Sequence, residues 1–272
     1  MSNFFDPAIL FFVFGVFAGA VKSNLEIPQP IARFLSLYLL MALGLKGGFA
    51  LHKSGFTIEI GLALGLAVFL AILIPLIGYL VLRTKLNNYD SAAIAATYGS
   101  VSAVTFITAT QALDQYGIAF GGYMAAAMAL MESPAIILAI LLANKARAST
   151  INSKKPNRVS KILHESFTDG AQLLLLGSMI VGLVSGDSGQ KIMAPFSIDL
   201  FKGMLAFFLL DMGLMAAKNF GGLKGKPIIT LLYAIGAPLI HASIALSLSK
   251  LLGLPLGDRV LLMVLAASAS YI

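Results

Sequence analysis

The chain has 272 residues, of which 58% are hydrophobic and only 11% are charged, and its mean hydropathy is +0.91. A soluble domain carries about 25% charged residues, so this composition excludes a soluble globular protein and indicates a polytopic membrane protein. Cysteine is absent, which excludes disulfides, zinc–thiolate sites and thiol nucleophiles. The net charge of +7 does not indicate nucleic-acid binding, because Lys and Arg lie in short segments between apolar runs.

Nine hydrophobic elements follow one another along the chain, and each is predicted to be a membrane helix of about 20 residues. In chain order they are Pro7–Val21, Ile31–Leu51, Ile60–Leu82, Ser91–Leu113, Tyr116–Asn144, Gly170–Gly186, Ser197–Ala217, Pro227–Ser249 and the run that begins at Arg259. The second element carries Arg33 and Lys46 near its ends, where long basic side chains can snorkel. The predicted fold is an all-α polytopic membrane protein.

A basic, Ser/Asn/Lys-rich segment at residues 145–168 separates the fifth element from the sixth. Because Lys and Arg accumulate on the cytoplasmic side, this linker is predicted to be cytoplasmic and the N-terminus to lie outside. The expected location is the bacterial inner membrane. Met1–Asp6 has no basic residue, which argues against a cleaved signal peptide.

Residues 1–144 and 169–272 resemble two copies of one unit. The matching stretches are Gly15–Gly19 with Gly182–Gly186, Leu43–Leu45 with Met212–Leu214, Ala71–Ile77 with Ala234–Ile240, and Asp90, Ser100 and Ser102 with Asp258, Ser268 and Ser270. Five elements precede the linker, so the second copy must enter the membrane the other way up. Two inverted repeats of five transmembrane helices are typical of secondary transporters. The second repeat is expected to be truncated, lacking the end of its fourth helix and all of its fifth.

The fourth element contains a cluster of glycine and hydroxyl residues, Gly99-Ser-Val-Ser-Ala-Val-Thr105, in the middle of its apolar run. This cluster predicts a broken helix at mid-membrane, whose restarted half would present free backbone N–H groups to an anion. Small residues could instead serve close helix packing. The recurrence of the serines 168 positions later, at Ser268 and Ser270, favours an anion site shared by both copies.

Other polar residues within apolar elements are candidates for cation coupling. Glu132 precedes Pro134 by two residues, and a carboxylate beside loosened carbonyls suits Na⁺ or H⁺. Asp211 either couples an ion or pairs with Lys46 or Lys202. His241 is expected to be a packed core histidine. Pro75 and Pro238 occupy equivalent places and are expected to kink their helices.

These segments together resemble the SbtA-like sodium-dependent bicarbonate transporters. The resemblance rests on Gly99–Thr105, Met131-Glu-Ser-Pro-Ala135, Ala266-Ala-Ser-Ala-Ser270 and the plan of two times five helices. It implies a substrate site formed by the two serine segments, and the residues concerned are Gly99, Ser100, Ser102, Ala103, Val104, Thr105, Ser268 and Ser270. It implies a Na⁺ site near Glu132, with Val101 and Tyr271. It also implies a homotrimer in membrane lipid, with a soluble PII-like protein as a candidate regulator.

Two positions depart from the pattern of this family. The type members carry an acidic residue where this chain has Tyr271, and a Gly-Ser pair where it has Ala103-Val104. Both departures bear on the substrate and on the number of coupled sodium ions.

The sequence therefore predicts Na⁺-coupled symport of bicarbonate or a similar small anion, with no cofactor beyond the coupling ion. A carrier for an organic anion such as a carboxylate is the alternative within transport. A membrane sensor or scaffold is a further alternative, although the linker is short. An enzyme is not expected, because His and acidic residues do not converge at one depth.

Overall fold

The computed structural model describes residues 6–55, 57–99, 101–131, 170–223 and 225–270, with positions 134, 137, 138 and 141 between them. This part of the chain is all-helical, and residues 124–131 add a helical segment to the nine labelled helices. The labelled helices are α1 (Pro7–Ala20), α2 (Gln29–Ser54), α3 (Ile58–Leu82), α4 (Asn88–Thr97), α5 (Ala103–Gln115), α6 (Gly170–Ala194), α7 (Phe201–Asn219), α8 (Ile228–Leu251) and α9 (Leu256–Ala267).

Four helical stretches in the described ranges are long and apolar enough to cross a membrane, and α1 is apolar but shorter. The four are Gln29–Lys53, Ile58–Leu82, Leu173–Gly222 and Ile228–Leu251. The third contains both α6 and α7, joined by the π-helical turn Pro195–Asp199. The predicted multi-pass membrane protein is therefore confirmed. Of the fifth predicted element, Tyr116–Asn144, residues 116–131 and positions 134, 137, 138 and 141 are described, and its remaining residues lie outside the described part of the chain.

The sixth predicted element is longer than expected and changes direction inside. Helix α6 continues to Ala194, but Gly186 has φ 56° and ψ −143°, which only glycine adopts readily. His52 of α2 lies against this bend and donates its Nδ1 hydrogen to the Leu183 carbonyl at 2.9 Å. Lys53 reaches the same region, 2.7 Å from Gln190 Oε1. The end of α2 therefore holds the bend in α6.

The first two helices pack mainly on helices from the other half of the chain. Helix α1 packs along α7, helix α2 packs along α6, and α2 also contacts α7. Helix α3 packs on α4 and α8, while α9 packs on α8, α5 and α3. The helices thus form two groups, one of α1, α2, α6 and α7, and one of α3, α4, α5, α8 and α9.

The α1–α7 and α2–α6 pairs make the same backbone contacts. A Cβ atom added to Gly213 would meet Phe12 O, Val16 N and Gly15 Cα, the first at 2.2 Å. A Cβ atom added to Gly48 would meet Met179 O, Leu183 N and Gly182 Cα, the first at 2.1 Å. Each partner atom in the second pair lies 167 positions after its counterpart in the first. By these contacts, Gly48 is the residue equivalent to Gly213. The match of Leu43–Leu45 with Met212–Leu214 had instead paired Gly213 with Gly44, which lies one helical turn earlier in α2.

Candidate functional site: a crossing of two helix breaks

Tyr98, Gly99, Val101 and Ser102 are not helical, and they lie where the sequence predicts an interruption. Helix α4 ends at Thr97, and α5 restarts after Ser102, which has φ −89° and ψ 113°. The Ser102 hydroxyl caps α5 by accepting the Thr105 N–H at 3.3 Å. The broken helix is therefore confirmed. Val101 is 1% exposed and anchors the break in the core.

A second break follows α9 and lies against the first. Ser268 ends α9 with an extended backbone, at φ −76° and ψ 149°. Its hydroxyl accepts the Ser102 N–H at 3.1 Å and donates to the Leu265 carbonyl at 3.0 Å. The Ser270 N–H donates to the Thr97 carbonyl at 2.9 Å. Two of the predicted site serines, 166 positions apart, are thus joined directly.

Helix α8 holds the ends of both breaks through two side-chain hydrogen bonds. Pro238 lacks an N–H, so the carbonyl four residues earlier, that of Ala234, has no partner within the helix. The Tyr98 hydroxyl donates to this carbonyl at 3.2 Å. His241, which is 2% exposed, hydrogen-bonds the Ala266 carbonyl in the last turn of α9. The carbonyl that Pro238 leaves unpaired in α8 therefore supplies an anchor for α4, and the next turn supplies one for α9.

The N-terminus of α5 presents backbone donors at the crossing. Among the described residues, no acceptor pairs with the N–H groups of Ala103 and Val104, whose side chains are half-buried. The Thr105 side chain next to them is exposed. Residues 97–105 and 264–270 contain no Lys or Arg. The chemistry on offer is a pair of amide donors at the positive end of a helix dipole, together with nearby hydroxyls.

Three of the predicted site residues lie outside the described residues, namely Ser100, Glu132 and Tyr271. The predicted Na⁺ site near Glu132 therefore stays a prediction. Within the described ranges, no group of three or more His, Asp or Glu residues could hold a metal ion. The described Asp211 is 6% exposed, and no ion pair joins it to Lys46 or Lys202, so that alternative is wrong.

A buried carboxylate links the two halves at the other end of α9, about 15 Å along the helix axis from the crossing. Asp258 lies in the first turn of α9 and is 1% exposed. One of its oxygens accepts the Gly121 N–H at 2.6 Å, and the other accepts the Tyr123 hydroxyl. Sequence reasoning noticed Asp258 only as a repeat match, because partners that lie 135–137 positions away leave no local pattern.

Two cavities lie where α2 faces α5 and the segment 119–125. The first, of about 420 Å³, is lined by residues of α2, α5, α6 and α7, among them Lys46, Phe106, Thr110, Asp114 and Phe201. The second, of about 550 Å³, extends toward Glu59 and Asp258. Both are lined by Lys53 and Ala119, so they are neighbours in a cleft between the two helix groups.

The helices and the paired breaks define a polytopic α-helical membrane protein with an internal polar crossing. A family model described as the Na⁺-dependent bicarbonate transporter superfamily matches residues 7–272, and the chain belongs to that superfamily. The family resemblance seen in the sequence is thereby confirmed. No curated protein matches the chain.

Proposed function

We propose that this protein takes up bicarbonate, or a similar small monovalent anion, across the bacterial inner membrane by symport with Na⁺. The Na⁺ gradient supplies the energy. The observation that carries the proposal is the crossing of the two breaks, where the Ser268 hydroxyl accepts the Ser102 N–H at the start of α5. Membership of the superfamily supports the same reaction class.

The crossing offers an anion weak and reversible binding. The Ala103 and Val104 N–H groups point along the axis of α5, and neither has an acceptor among the described residues. Amide donors and a helix dipole attract an anion without the tight ion pair that an Arg would form. A carrier must release its cargo in each cycle, so a site without Lys or Arg suits transport.

We place the anion between two inverted repeats. The equivalent backbone contacts at Gly213 and Gly48 support a duplication, and so do the serine and aspartate matches at a spacing of 168. Inverted repeats give alternating access when related units exchange conformations. With the N-terminus outside, the cleft at Lys53 and Asp114 opens to the exterior and the linker faces the cytoplasm.

The proposals for the coupling ion and for the oligomeric state are based on the sequence and on the family resemblance. Glu132 is proposed to hold Na⁺, with Val101 and Tyr271 near it. A homotrimer and regulation by a PII-like protein are proposed on the same basis. An enzymatic role is not proposed.

The test is uptake of radiolabelled bicarbonate by proteoliposomes that contain the purified protein, with and without an inward Na⁺ gradient. Ser268→Ala removes the hydroxyl that orients Ser102 and should raise the KM for the anion by about tenfold, as for one lost hydrogen bond of about 1.4 kcal/mol. Ser243→Ala is the matched control, since the exposed Ser243 hydroxyl bonds only within α8, to Leu239 O. Uptake of acetate or another carboxylate in place of bicarbonate would support the organic-anion alternative. No Na⁺-dependent uptake of any anion would overturn the proposal.

A further inference from the structure

Lys46 places a cation well inside a membrane helix. It lies seven residues before Lys53, which is about 10 Å along the axis of α2. The sequence predicts that its side chain snorkels to the membrane surface, but the ammonium instead lies 4.5 Å from the centre of the Phe201 ring. Phe201 is 1% exposed, so the ammonium is held in the interior. An intramembrane charge is costly and marks a functional position.

Within the described ranges, the hydrogen-bond donors of the Lys46 ammonium are free. No carboxylate of the described residues lies within 4.0 Å of it, and no acceptor there is bonded to it. The face of Phe201 attracts the positive charge but accepts no conventional hydrogen bond. Lys53 differs, since it contacts Asp187 at 3.6 Å and Gln190 at 2.7 Å. Of these two lysines in the cleft, Lys46 is the one available to a ligand.

The cavity connects Lys46 with both ends of the cleft. Lys53 and Asp114 line it at one end, and Phe106 lines it on α5. The Phe106 N–H donates to the Ser102 carbonyl at 3.0 Å, so the wall of the cavity ends one helical turn from the crossing. Thr110, which is also on α5, faces the same space. The volume of about 420 Å³ accommodates a hydrated small anion.

We propose that Lys46 forms a second anion-binding site, a waiting position in this cavity that the transported anion occupies before it reaches the crossing. The ammonium attracts a small monovalent anion, and Phe201 holds the side chain in place. Asp114 on the opposite wall repels a second negative charge, which disfavours dianions and keeps binding weak. The inference rests on the proposed function for its transport role, but the anion preference of the cavity does not.

The anion preference can be measured without transport, because the chain has no native cysteine. Ala119→Cys introduces one thiol at an exposed position that lines both cavities. Its labelling rates with a negatively charged sulfonate thiosulfonate and a positively charged ammonium thiosulfonate are compared, with and without Lys46→Met. The negative reagent should be favoured at least about threefold more strongly when Lys46 is present, since a nearby unit charge acts through a partly shielded medium. Ser188→Cys, exposed and outside both cavities, should show no dependence on Lys46.

Transport supplies the second readout. Lys46→Met should raise the KM for the anion about tenfold with a small change in the maximal rate, and Lys46→Arg should restore most of the affinity. Lys250→Gln, exposed at the end of α8, is the matched loss of one charge and should leave the KM unchanged. A KM and a labelling ratio that are both insensitive to Lys46 would overturn the inference. A preserved labelling effect in a protein that transports no anion would instead overturn the proposed function alone.

Discussion

Tyr98 donates its hydroxyl to the carbonyl of Ala234, the one backbone acceptor that Pro238 releases from α8. The aromatic ring of Tyr98 also meets the rings of Tyr233 and His241 edge to face, with both centroids 5.4 Å away. A proline in one half of the chain thus frees the carbonyl that fixes the end of a broken helix in the other. The interruption after Thr97 is therefore stabilised by residues of α8, which are distant in sequence.

Tyr98→Phe should destabilise the protein by about 1 kcal/mol, because it leaves the Ala234 carbonyl without a donor in an apolar environment. The matched control is Tyr233→Phe. The Tyr233 hydroxyl is buried and has no hydrogen-bond partner in the described part of the chain, so its removal should be neutral or stabilising. Reversible unfolding in mixed detergent micelles measures both free energies. Equal losses in the two variants would show that the Ala234 bond contributes nothing.

Gly48→Ala and Gly213→Ala should each destabilise the helix pairs by about 1–3 kcal/mol through overpacking. The added methyl would lie 2.1 Å from Met179 O in the first and 2.2 Å from Phe12 O in the second, and backbone cannot move aside easily. Gly61→Ala and Gly236→Ala are the controls, because no atom of the described residues lies within 4 Å of the added atom. Thermal unfolding should separate the two sets, and similar melting temperatures for all four variants would contradict the close contacts.

Asp258→Ala should cost about 3 kcal/mol, since it removes a buried acceptor from both the Gly121 N–H and the Tyr123 hydroxyl. Asp187→Asn, at a side chain that is 68% exposed, should change stability little. A double-mutant cycle of Asp258→Asn with Tyr123→Phe isolates the bond between the two side chains. Additive single effects would show that this bond has no energetic coupling.

Glu132→Gln should weaken the Na⁺ dependence of uptake while the protein stays folded, because a neutral amide binds the ion less well than a carboxylate. The measurement is the uptake rate over a series of Na⁺ concentrations, with circular dichroism as the check on folding. An unchanged Na⁺ response would assign Glu132 a purely structural role.

The elements and the first break could be predicted from sequence because their causes are local. Apolar length defines α2, α3 and α8, and the glycine and hydroxyl cluster defines the break before Ser102. The donors that hold the site could not be predicted in the same way. Tyr98 and His241 contact backbone groups that are exposed by a proline or a helix end, and only the three-dimensional packing brings them there. The prediction that the Lys46 side chain snorkels to the membrane surface was wrong for a related reason. Its partner is the aromatic face of Phe201, which is distant in sequence.

The pairing of α1 with α7 and of α2 with α6 has a consequence for biogenesis. When the ribosome has made only the first half, α6 and α7 do not yet exist. The glycine-lined faces of α1 and α2 are then exposed to lipid. Gly121 and Tyr123, by contrast, are already synthesised when Asp258 emerges, so the buried acid meets its donors at once. We therefore expect that neither half folds independently, and that a chain cut within residues 145–168 assembles only when both fragments are made in the same membrane.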